Sequence, residues 1–440
     1  MAALQKYQNK KIAIYGMGIT GCSAAKFLKR LKAKVFCWDD DKKIRKKVKK
    51  LNFSLNKFWL NKNLIDRIVI SPGIDINKCK IKNYLKKYSG KIITDLDLFF
   101  ELNKDALIIS ITGTNGKSTT CKIIEKILKT AKYNVKTVGN IGNPILSFSK
   151  TKKKYFFVLE VSSYQLQYSK LFRSNHAAVL NISPDHLERH KNMKNYVNIK
   201  SKIFSAQLNS DYSYINSENK YTKLIKNIFK IKKIKSKLIM VNKLKCNFLL
   251  KKINNKYFKS KGNIENLAFA YKIVKNLKIN DKVIIKALNN FKGLPHRQEI
   301  IFSNKYLTCV NDSKATSFDA CLQSLSNYNK IYWIVGGLPK LRDYFDLTSV
   351  SKKIVKAYII GKNTSFFIKQ FQKKIPFAES YNLKNAVKNV CNDIKENKNN
   401  NCTILFSPAA ASYDQFKSFE DRGNQFKALI KRKAKIFYYV

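Results

Sequence analysis

The sequence is poor in the residues that mark several classes of protein. With 15 Gly and 7 Pro in 440 residues, it is neither a collagen nor a proline-rich linker protein. Its apolar runs, such as Ile331–Val335, are too short to span a bilayer. The first eleven residues lack the apolar stretch of a secretory signal. We therefore expect a soluble, cytoplasmic protein without membrane insertion.

The nine cysteines do not form a single C-x-x-C pair. This spacing argues against a zinc ribbon and against a thioredoxin-type redox site. In a protein without a secretory signal we expect these side chains to be reduced thiols.

Acidic residues are also scarce, with 28 Asp and Glu against 87 Lys and Arg, a net charge of +59. Such a charge suggests a nucleic-acid partner. However, only nine of the basic residues are Arg, and the lysines are spread along the chain together with many Asn and Ile. This pattern favours an AT-rich coding bias acting on solvated faces, so we predict no nucleic-acid partner. The field would still attract small anionic substrates.

The sequence does contain enough apolar material for several cores, because 45% of its residues are hydrophobic. Short β-branched runs alternate with stretches of helical length, which predicts an α/β protein with parallel sheets and right-handed crossovers. The predicted strands are Ile12–Tyr15, Lys34–Trp38, Arg67–Ile70, Leu107–Ile111, Tyr155–Glu160, Ala177–Asn181, Ile331–Val335, Tyr358–Gly361 and Thr403–Phe406.

Glycine motifs follow three of these strands, near residues 16, 113 and 336. Together with the length, this spacing predicts three α/β domains with joins near 95 and 297. We therefore expect domains over residues 1–95, 96–297 and 298–440.

The first motif, Gly16-Met17-Gly18-Ile19-Thr20-Gly21, matches G-x-G-x-x-G, and Asp39 follows the next strand. Such glycines let the backbone approach a diphosphate at a helix N-terminus. The motif alone leaves a nicotinamide, a flavin or another diphosphate nucleotide open. Ser71-Pro72-Gly73 follows a further strand and is expected at the same edge of the sheet.

The second motif is Thr112-Gly113-Thr114-Asn115-Gly116-Lys117-Ser118-Thr119, between a predicted strand and an amphipathic run. Its backbone N–H groups are expected to cradle phosphates, with Lys117 neutralising their charge and Ser118 reaching Mg²⁺. Its two glycines are closer together than in the general P-loop pattern, because Ile111 stands where that pattern has Gly.

Two further candidates come from acidic and histidine residues at strand ends. Glu160 ends a strand in the same predicted domain as the phosphate loop, which suits Mg²⁺. His186 is one of only four His in the chain and follows Asp185 just after another strand. A metal or phosphate ligand and a solvated structural histidine both remain open for His186.

Taken together, these motifs resemble the Mur ligase family, ATP-dependent enzymes that add amino acids to peptidoglycan precursors. The phosphate loop, Glu160-Val161-Ser162-Ser163-Tyr164-Gln165, Asn181-Ile182-Ser183-Pro184-Asp185-His186-Leu187, Gly139-Asn140-Ile141-Gly142 and Gly293-Leu294-Pro295-His296-Arg297 match family landmarks. Three C-terminal segments resemble the D-glutamate-adding branch of the family: Asn311–Thr316, Gly336–Lys340 and Ser407–Gly423.

This resemblance implies a Rossmann-like first domain that binds a UDP substrate, a central P-loop-type ATPase domain with a mainly parallel sheet, and a Rossmann-like C-terminal domain that binds the amino acid. The UDP-substrate residues it implies are Gly18, Ile19, Thr20, Asp39, Gly73, Asn140 and His186. The implied ATP residues are Gly113, Thr114, Asn115, Gly116, Lys117, Ser118, Thr119, Asn266, Arg297, Asp312 and Lys314. The implied D-glutamate residues are Thr316, Lys340, Ser412 and Phe419.

The resemblance also implies a reaction through an acyl phosphate, formed from ATP and a substrate carboxylate and then attacked by the D-glutamate amine. Lys117, Glu160, His186 and Lys200 are the implied catalytic residues. Two Mg²⁺ ions are expected on Ser118, Glu160, His186 and Lys200, the last carrying CO₂ as a carbamate. We expect a monomer that acts on small molecules. The segment around Asn263 and Asn266 departs from the family pattern, because Ser260 and Gly262 stand where Gly and His are usual.

Three other functions remain as alternatives. A ligase of the same superfamily that adds another amino acid, or that glutamates folate, would share most of the motifs. A basic nucleotide-binding protein acting on nucleic acid is supported only by charge. A nicotinamide oxidoreductase is supported only by Gly16–Gly21.

Overall fold

The computed structural model describes residues 5–60, 65–139, 144–147, 155–340, 343–397 and 401–437. The chain divides into two compact units. The first unit comprises residues 1–258 and 263–291, and the second comprises residues 259–262 and 292–440. Two sheets lie in the first unit and one in the second.

The first sheet is built from the strands nearest the N-terminus, in the order β2-β1-β3-β4, with all neighbours parallel. Its strands are β1 Lys11–Tyr15, β2 Lys34–Trp38, β3 Arg67–Ile70 and β4 Ile92–Ile93. The central strand β1 is apolar along most of its length because helices and loops cover both of its faces.

The second sheet has six parallel strands in the order β10-β9-β8-β5-β7-β6. Its strands are β5 Leu107–Thr112, β6 Val135–Gly139, β7 Phe156–Glu160, β8 His176–Val179, β9 Tyr212–Asn216 and β10 Lys237–Val241. The strands that follow β5 lie on both sides of it, so the strand order reverses there. Ligands bind at such switch points, outside the carboxyl ends of the strands.

Helices connect most of these strands, and three helices follow β10. In the first unit they are α1 Ile19–Arg30, α2 Lys42–Lys50, α3 Lys82–Lys87, α4 Asp95–Leu102, α5 Lys117–Thr130, α6 Ser163–Tyr168, α7 Leu187–His190, α8 Met193–Ser201, α9 Thr222–Ile231, α10 Asn247–Lys252, α11 Lys261–Asn276 and α12 Asp281–Asn289. Helix α4 begins with a capping box, in which the Thr94 side chain accepts from the Asp97 backbone and Asp97 accepts from the Thr94 backbone.

Asp97 also connects the first sheet to the second. Its carboxylate accepts hydrogen bonds from the Ser169 hydroxyl at 2.7 Å and from three consecutive backbone N–H groups, those of Lys170, Leu171 and Phe172. A buried carboxylate with this many donors fixes where α4 begins relative to the second sheet.

The third sheet lies in the second unit, in the order β11-β12-β16-β13-β14-β15. Its strands are β11 Glu299–Ser303, β12 Leu307–Asn311, β13 Ile331–Gly336, β14 Ile354–Ile360, β15 Phe377–Tyr381 and β16 Cys402–Phe406. The edge pair β11–β12 is antiparallel, and the other pairs of this sheet are parallel. The helices of this unit that the structure describes are α13 Phe318–Asn327, α14 Thr364–Phe371, α15 Leu383–Glu396 and α16 Phe419–Phe437.

The fold class predicted from the sequence is confirmed. The strands of three mainly parallel sheets alternate with helices along the chain. Every predicted strand is present within a few residues of its predicted bounds. One boundary matters for the site: β8 ends at Val179, so Asn181 lies in the loop beyond the strand in which it was predicted. Among the helices of the described ranges, none combines the length and apolar character needed to cross a membrane.

Candidate active site

The carboxyl edge of the second sheet gathers most of the polar residues predicted for the central domain. Strands β9, β8, β5 and β7 are neighbours, and the chain leaves them at Asn216, Asn181, Gly113 and Glu160. Because parallel strands end at the same edge, these residues surround the loop between β5 and α5. The sequence motifs, far apart along the chain, therefore converge here.

The loop from Gly113 to Gly116 turns the end of β5 directly into α5, whose first residue is Lys117. Gly116 has φ +82°, a left-handed conformation that disfavours a side chain. A Cβ there would also meet the Asn266 Oδ1 atom at 2.1 Å. Asn266 accepts a hydrogen bond from Thr120 at 3.3 Å, so α11 supports the loop at Gly116.

Two lysines converge on one carbonyl oxygen of this loop. Lys117 Nζ donates to Gly113 O at 2.9 Å and to Thr114 O at 2.7 Å, and Lys200 Nζ donates to Gly113 O at 2.8 Å. Lys200 reaches the loop from α8 and is almost completely buried. Burial, followed by the nearby Lys117 charge, holds the pKa of Lys200 well below its ordinary value.

Ser118 and Glu160 form a pair of oxygen ligands beside the loop. The Ser118 hydroxyl donates to Glu160 Oε2 at 2.6 Å, and both residues are buried. Hydroxyl and carboxylate oxygens are the donors that Mg²⁺ prefers. Within the described ranges, no group of three or more His, Cys, Asp and Glu residues is arranged to hold a metal. The Ser118–Glu160 pair suits an ion that takes its remaining ligands from phosphates and water.

His186 lies next to the Glu160 motif through Tyr164. Its Nδ1 atom is 3.0 Å from the Tyr164 hydroxyl, and its Nε2 atom is 3.4 Å from Asp185 Oδ2. The backbone of His186 is left-handed, with φ +54°, at the start of the short helix α7. This turn presents the imidazole between Asp185 and Tyr164, with about a third of the side chain exposed.

Residues to which the sequence analysis assigned no role complete this part of the site. Asn181 accepts a hydrogen bond from Asn115 N at its side-chain oxygen, at 2.8 Å, and donates through Nδ2 to Glu265 at 2.7 Å. Arg189 donates to the Gln167 side chain at 2.8 Å and to the backbone carbonyl of Ile74. The position of Asn181 at a strand end was a usable signal, whereas Glu265 and Arg189 carried none.

His190 is a further residue that was not predicted. It is fully buried, and its Nε2 atom lies 2.9 Å from the Ser163 hydroxyl. Burial lowers the pKa of His190 to about 4, so the ring is neutral near pH 7. It packs between the Tyr164 and Tyr196 rings and so supports the element that carries His186.

The glycine loop after β1 has the geometry expected for a diphosphate-binding turn. Gly16 has φ +93°, and a Cβ on Gly21 would lie 1.9 Å from Gly16 O, so α1 approaches β1 closely. Gly18 and Gly73 border open space, and Ile19 is exposed at the start of α1, followed by Thr20. The predicted residue Asn140 lies outside the described residues.

Asp39 binds the backbone of this glycine loop directly. Its carboxylate accepts hydrogen bonds from Met17 N at 2.6 Å and Asp41 N at 2.9 Å, and the residue is buried. The carboxylate therefore fixes the glycine loop against the end of β2.

In the second unit, the predicted residues follow three neighbouring strands. Asp312 and Lys314 come after β12, Ser412 after β16, and Lys340 after β13. Backbone hydrogen bonds between Leu338 and Ala411, at 2.8 and 2.9 Å, join the last two loops. The predicted amino-acid-binding residues Lys340 and Ser412 are thus carried by paired segments.

The carboxyl edge of the third sheet also carries Lys314, Phe419 and Asp312. The Lys314 ammonium lies 3.7 Å from the centre of the Phe419 ring, a cation–π contact. Asp312 accepts from the Ser324 hydroxyl at 2.5 Å and the Ser407 hydroxyl at 2.8 Å. Burial raises the pKa of Asp312 to about 6, and the hydrogen bonds from Ser324 and Ser407, followed by the nearby Arg297 charge, oppose this rise. Thr316 lies half-buried in the loop that follows Asp312.

Comparison with known proteins finds family matches to both sheets of the first unit and relatives of the whole chain. The Mur ligase middle domain matches residues 111–290, and the Mur ligase MurD-like N-terminal domain matches residues 10–92. A UDP-N-acetylmuramoylalanine–D-glutamate ligase from Rickettsia felis is 36% identical over 98% of this chain and 98% of its own length. The Rickettsia prowazekii protein of the same name is 35% identical over 98% of this chain and 99% of its own.

Solved structures share the fold at low sequence identity. A MurF ligase from Thermotoga maritima in complex with ADP has a TM-score of 0.58 at 14% identity, covering 98% of this chain and 100% of that one. MurC from Thermotoga maritima has a TM-score of 0.52 at 16% identity, covering 97% and 99%.

Proposed function

The chain belongs to the Mur ligase family, and from this we propose that it joins D-glutamate to UDP-N-acetylmuramoyl-L-alanine with cleavage of ATP to ADP and phosphate. The observation that carries the proposal is the similarity, over nearly the whole chain, to relatives named for that reaction. The reaction belongs to the synthesis of peptidoglycan precursors, which we propose takes place in the cytoplasm.

The proposed reaction has two steps. The substrate carboxylate attacks the γ-phosphorus of ATP, the bond to the bridging oxygen breaks, and an acyl phosphate and ADP form. The D-glutamate amine then attacks the acyl carbon, phosphate leaves with the former carboxylate oxygen, and the nitrogen loses a proton. Phosphorylation is needed because an unmodified carboxylate oxygen is a poor leaving group. Fixed cations and N–H groups stabilise the charge that develops.

In this proposal the loop from Gly113 to Thr119 holds the ATP phosphates. Lys117, whose amine already lies against the loop carbonyls, turns towards the phosphates and neutralises their charge. Thr114 and Asn115 shape the loop, because their backbone N–H groups donate to Asn181, and Asn266 supports Gly116. We assign ATP contacts in the second unit to Arg297, Asp312 and Lys314.

Ser118 and Glu160 are the residues that we propose to hold Mg²⁺ with the phosphates. The ion, when bound, supplies Lewis-acid stabilisation of the negative charge on the phosphoryl oxygens. Glu160 accepts a hydrogen bond from the Ser118 hydroxyl, so the two side chains are already aligned. His186, held by Tyr164 and Asp185, is proposed as a ligand of a second Mg²⁺ and as a contact of the UDP substrate.

Lys200 is proposed to carry a carbamate. Only a neutral amine attacks CO₂, and the lowered pKa of Lys200 favours that form. Its Nζ lone pair forms the N–C bond, one C=O electron pair moves to oxygen, and the nitrogen loses a proton. The product is an anion beside Lys117, to whose ammonium group it is attracted.

We assign the UDP substrate to the first sheet and D-glutamate to the third sheet. We propose that Gly18, Ile19, Thr20, Asp39, Gly73 and Asn140 contact the UDP substrate, Asp39 through its hold on the glycine loop. Thr316, Lys340, Ser412 and Phe419 are proposed to surround D-glutamate, with Lys340 pairing a carboxylate. We also propose that the chain divides into three domains at residues 95 and 297. We further propose that it acts on small molecules as a monomer.

Phosphate release from ATP tests the function directly. Purified protein is given UDP-N-acetylmuramoyl-L-alanine, Mg²⁺ and bicarbonate, with D-glutamate, L-glutamate, L-lysine or no acceptor. We expect release that requires D-glutamate, and a nucleotide product heavier by one glutamyl residue. Release with another acceptor would move the enzyme within its family, and release with none of them would contradict the proposal.

A further inference from the structure

Glu265 connects three elements at the carboxyl edge of the second sheet. Its Oε1 atom accepts from Asn181 Nδ2 at 2.7 Å, and its Oε2 atom accepts from Asn216 Nδ2 at 3.0 Å. Asn181 follows β8 and Asn216 ends β9, whereas Glu265 lies on α11. One carboxylate from a helix thus ties together the ends of two neighbouring strands.

Asn181 in turn binds the backbone of the phosphate loop. Its backbone carbonyl accepts from Thr114 N at 2.9 Å, and its side-chain oxygen accepts from Asn115 N at 2.8 Å. An Asn amide has one acceptor end and one donor end. Since the donor end faces the Glu265 carboxylate, the acceptor end must face the loop.

Residue 265 therefore decides which way the Asn181 amide points. A glutamine there would offer one oxygen and one NH₂ group to two asparagine donors, so one of the two hydrogen bonds would be lost. If Asn181 turned over to compensate, its NH₂ group would meet the Asn115 N–H group, two donors in contact. Burial raises the pKa of Glu265, and the two amide donors oppose that rise.

We propose that Glu265 is a positioning residue for ATP: through Asn181 it holds the backbone of Thr114 and Asn115 in the conformation that binds phosphate. The proposal rests on the ATP-dependent function proposed above. Asn266, the next residue of α11, contacts Gly116 and Thr120 elsewhere on the same loop and helix start. The first turns of α11 thus hold the loop at two points, although Ser260 and Gly262 depart from the family pattern.

The test compares Glu265→Gln with Glu218→Gln. Glu218 is a matched control because it is a nearby carboxylate that pairs with Lys243 at 2.8 Å. Calorimetry gives the dissociation constant of Mg-ADP, and steady-state kinetics give KM and kcat. For Glu265→Gln we expect a dissociation constant and a KM for ATP about tenfold higher, with kcat and the KM for D-glutamate changed less than about threefold. The control should stay within about twofold of the wild type.

A second comparison shows whether Glu265 acts through Asn181. We expect Asn181→Ala to weaken ADP binding about tenfold and Glu265→Gln/Asn181→Ala to be no weaker than Asn181→Ala alone. Hydrogen exchange of the peptide containing Thr114 and Asn115 should be faster in Glu265→Gln than in Glu218→Gln. Should Glu265→Gln fail to fold, Asn181→Ala still decides, because ADP binding within about twofold of the wild type overturns the proposal.

Two further results would also overturn it: equal ADP affinity in all single variants, or fully additive losses in the double variant. Binding of ADP and amide exchange are measured without an acceptor amino acid. A failure of D-glutamate-dependent phosphate release therefore does not alter them, and the two proposals fail separately.

Discussion

The most consequential side chain in the central domain is a lysine whose hydrogen bonds go to uncharged oxygens. Lys200 Nζ is held by Gly113 O at 2.8 Å and, more weakly, by Thr112 Oγ1 at 3.4 Å. An ammonium group buried beside Lys117 is costly unless it loses a proton or reacts. The proposed carbamate removes that cost and gives the residue a chemical role that its position alone does not reveal.

Replacing Lys200 by Ala should lower turnover by on the order of 100-fold, because the carbamate expected to hold Mg²⁺ beside the phosphates is lost. A short-chain carboxylate such as acetate should restore part of the activity by occupying the space left by the carbamate. Phosphate release is measured with and without acetate. Lys194→Ala is the control, since Lys194 is exposed on the same helix α8. Near-normal activity in Lys200→Ala would refute a role for the residue, and loss without rescue would speak against the carbamate.

Strands and helices were more predictable than the contacts between them. Buried parallel strands are apolar along their whole length, so runs such as Ile331–Val335 identify themselves. Strand β9 was not predicted because Tyr and Ser interrupt its apolar pattern. Strand β10 was not predicted although Leu238–Val241 is a short apolar run. The edge strand β11 is half-exposed and antiparallel, and its apolar run is limited to Ile300–Phe302.

The residues of the candidate site also differ in how well they can be predicted from the sequence. Gly116, Lys117, Ser118 and Glu160 lie in local motifs whose chemistry can be interpreted from a few adjacent residues. Glu265 lies between Asn263 and Asn266 of the family segment but at a position to which the motif assigns no role, and its partners Asn181 and Asn216 are distant in sequence. The strand order, which places β8 beside β9, brings these partners together. The roles assigned to the individual site residues remain predictions.

Helix α16 is anchored to the third sheet by a buried arginine. Arg422 is fully buried; its guanidinium donates to the Ser313 hydroxyl at 3.1 Å, to Ser313 O at 2.9 Å and to Ala410 O at 3.0 Å. Burial lowers the pKa of Arg422 to about 10, so it keeps its charge at neutral pH. This one side chain joins the loops after β12 and β16, from which Lys314 and Ser412 extend.

Arg422→Lys should therefore destabilise the second unit although it conserves the charge. A lysine ammonium cannot reproduce the planar set of donors, so at least one buried carbonyl loses its partner, at a cost of about 2–4 kcal/mol. Chemical denaturation measures the change. Arg432→Lys provides the control, because Arg432 is exposed on the same helix. Equal stability of the two variants would show that the hydrogen bonds of Arg422 contribute little.

The charge of the whole molecule acts over longer distances than any of these contacts. A net charge of +59 on 440 residues creates a positive field around the protein. All the proposed substrates are anions, so the field should raise the rate at which they reach the protein. Salt screens such a field, with a Debye length of about 30 Å at 0.01 M ionic strength and about 8 Å at 0.15 M.

We therefore expect kcat/KM for the UDP substrate to fall several-fold as potassium chloride is raised from about 0.01 to 0.3 M. The turnover number should change much less, because the contacts inside the site are close and screened little. Sucrose at matched osmolality controls for effects of the solute itself. Repeating the salt titration with added duplex DNA distinguishes attraction of small substrates from binding of nucleic acid. If the lysines only attract substrates, DNA should leave the low-salt kinetics unchanged. If they bind nucleic acid, DNA should inhibit at low salt and lose that effect as salt rises, which would contradict the prediction of no nucleic-acid partner.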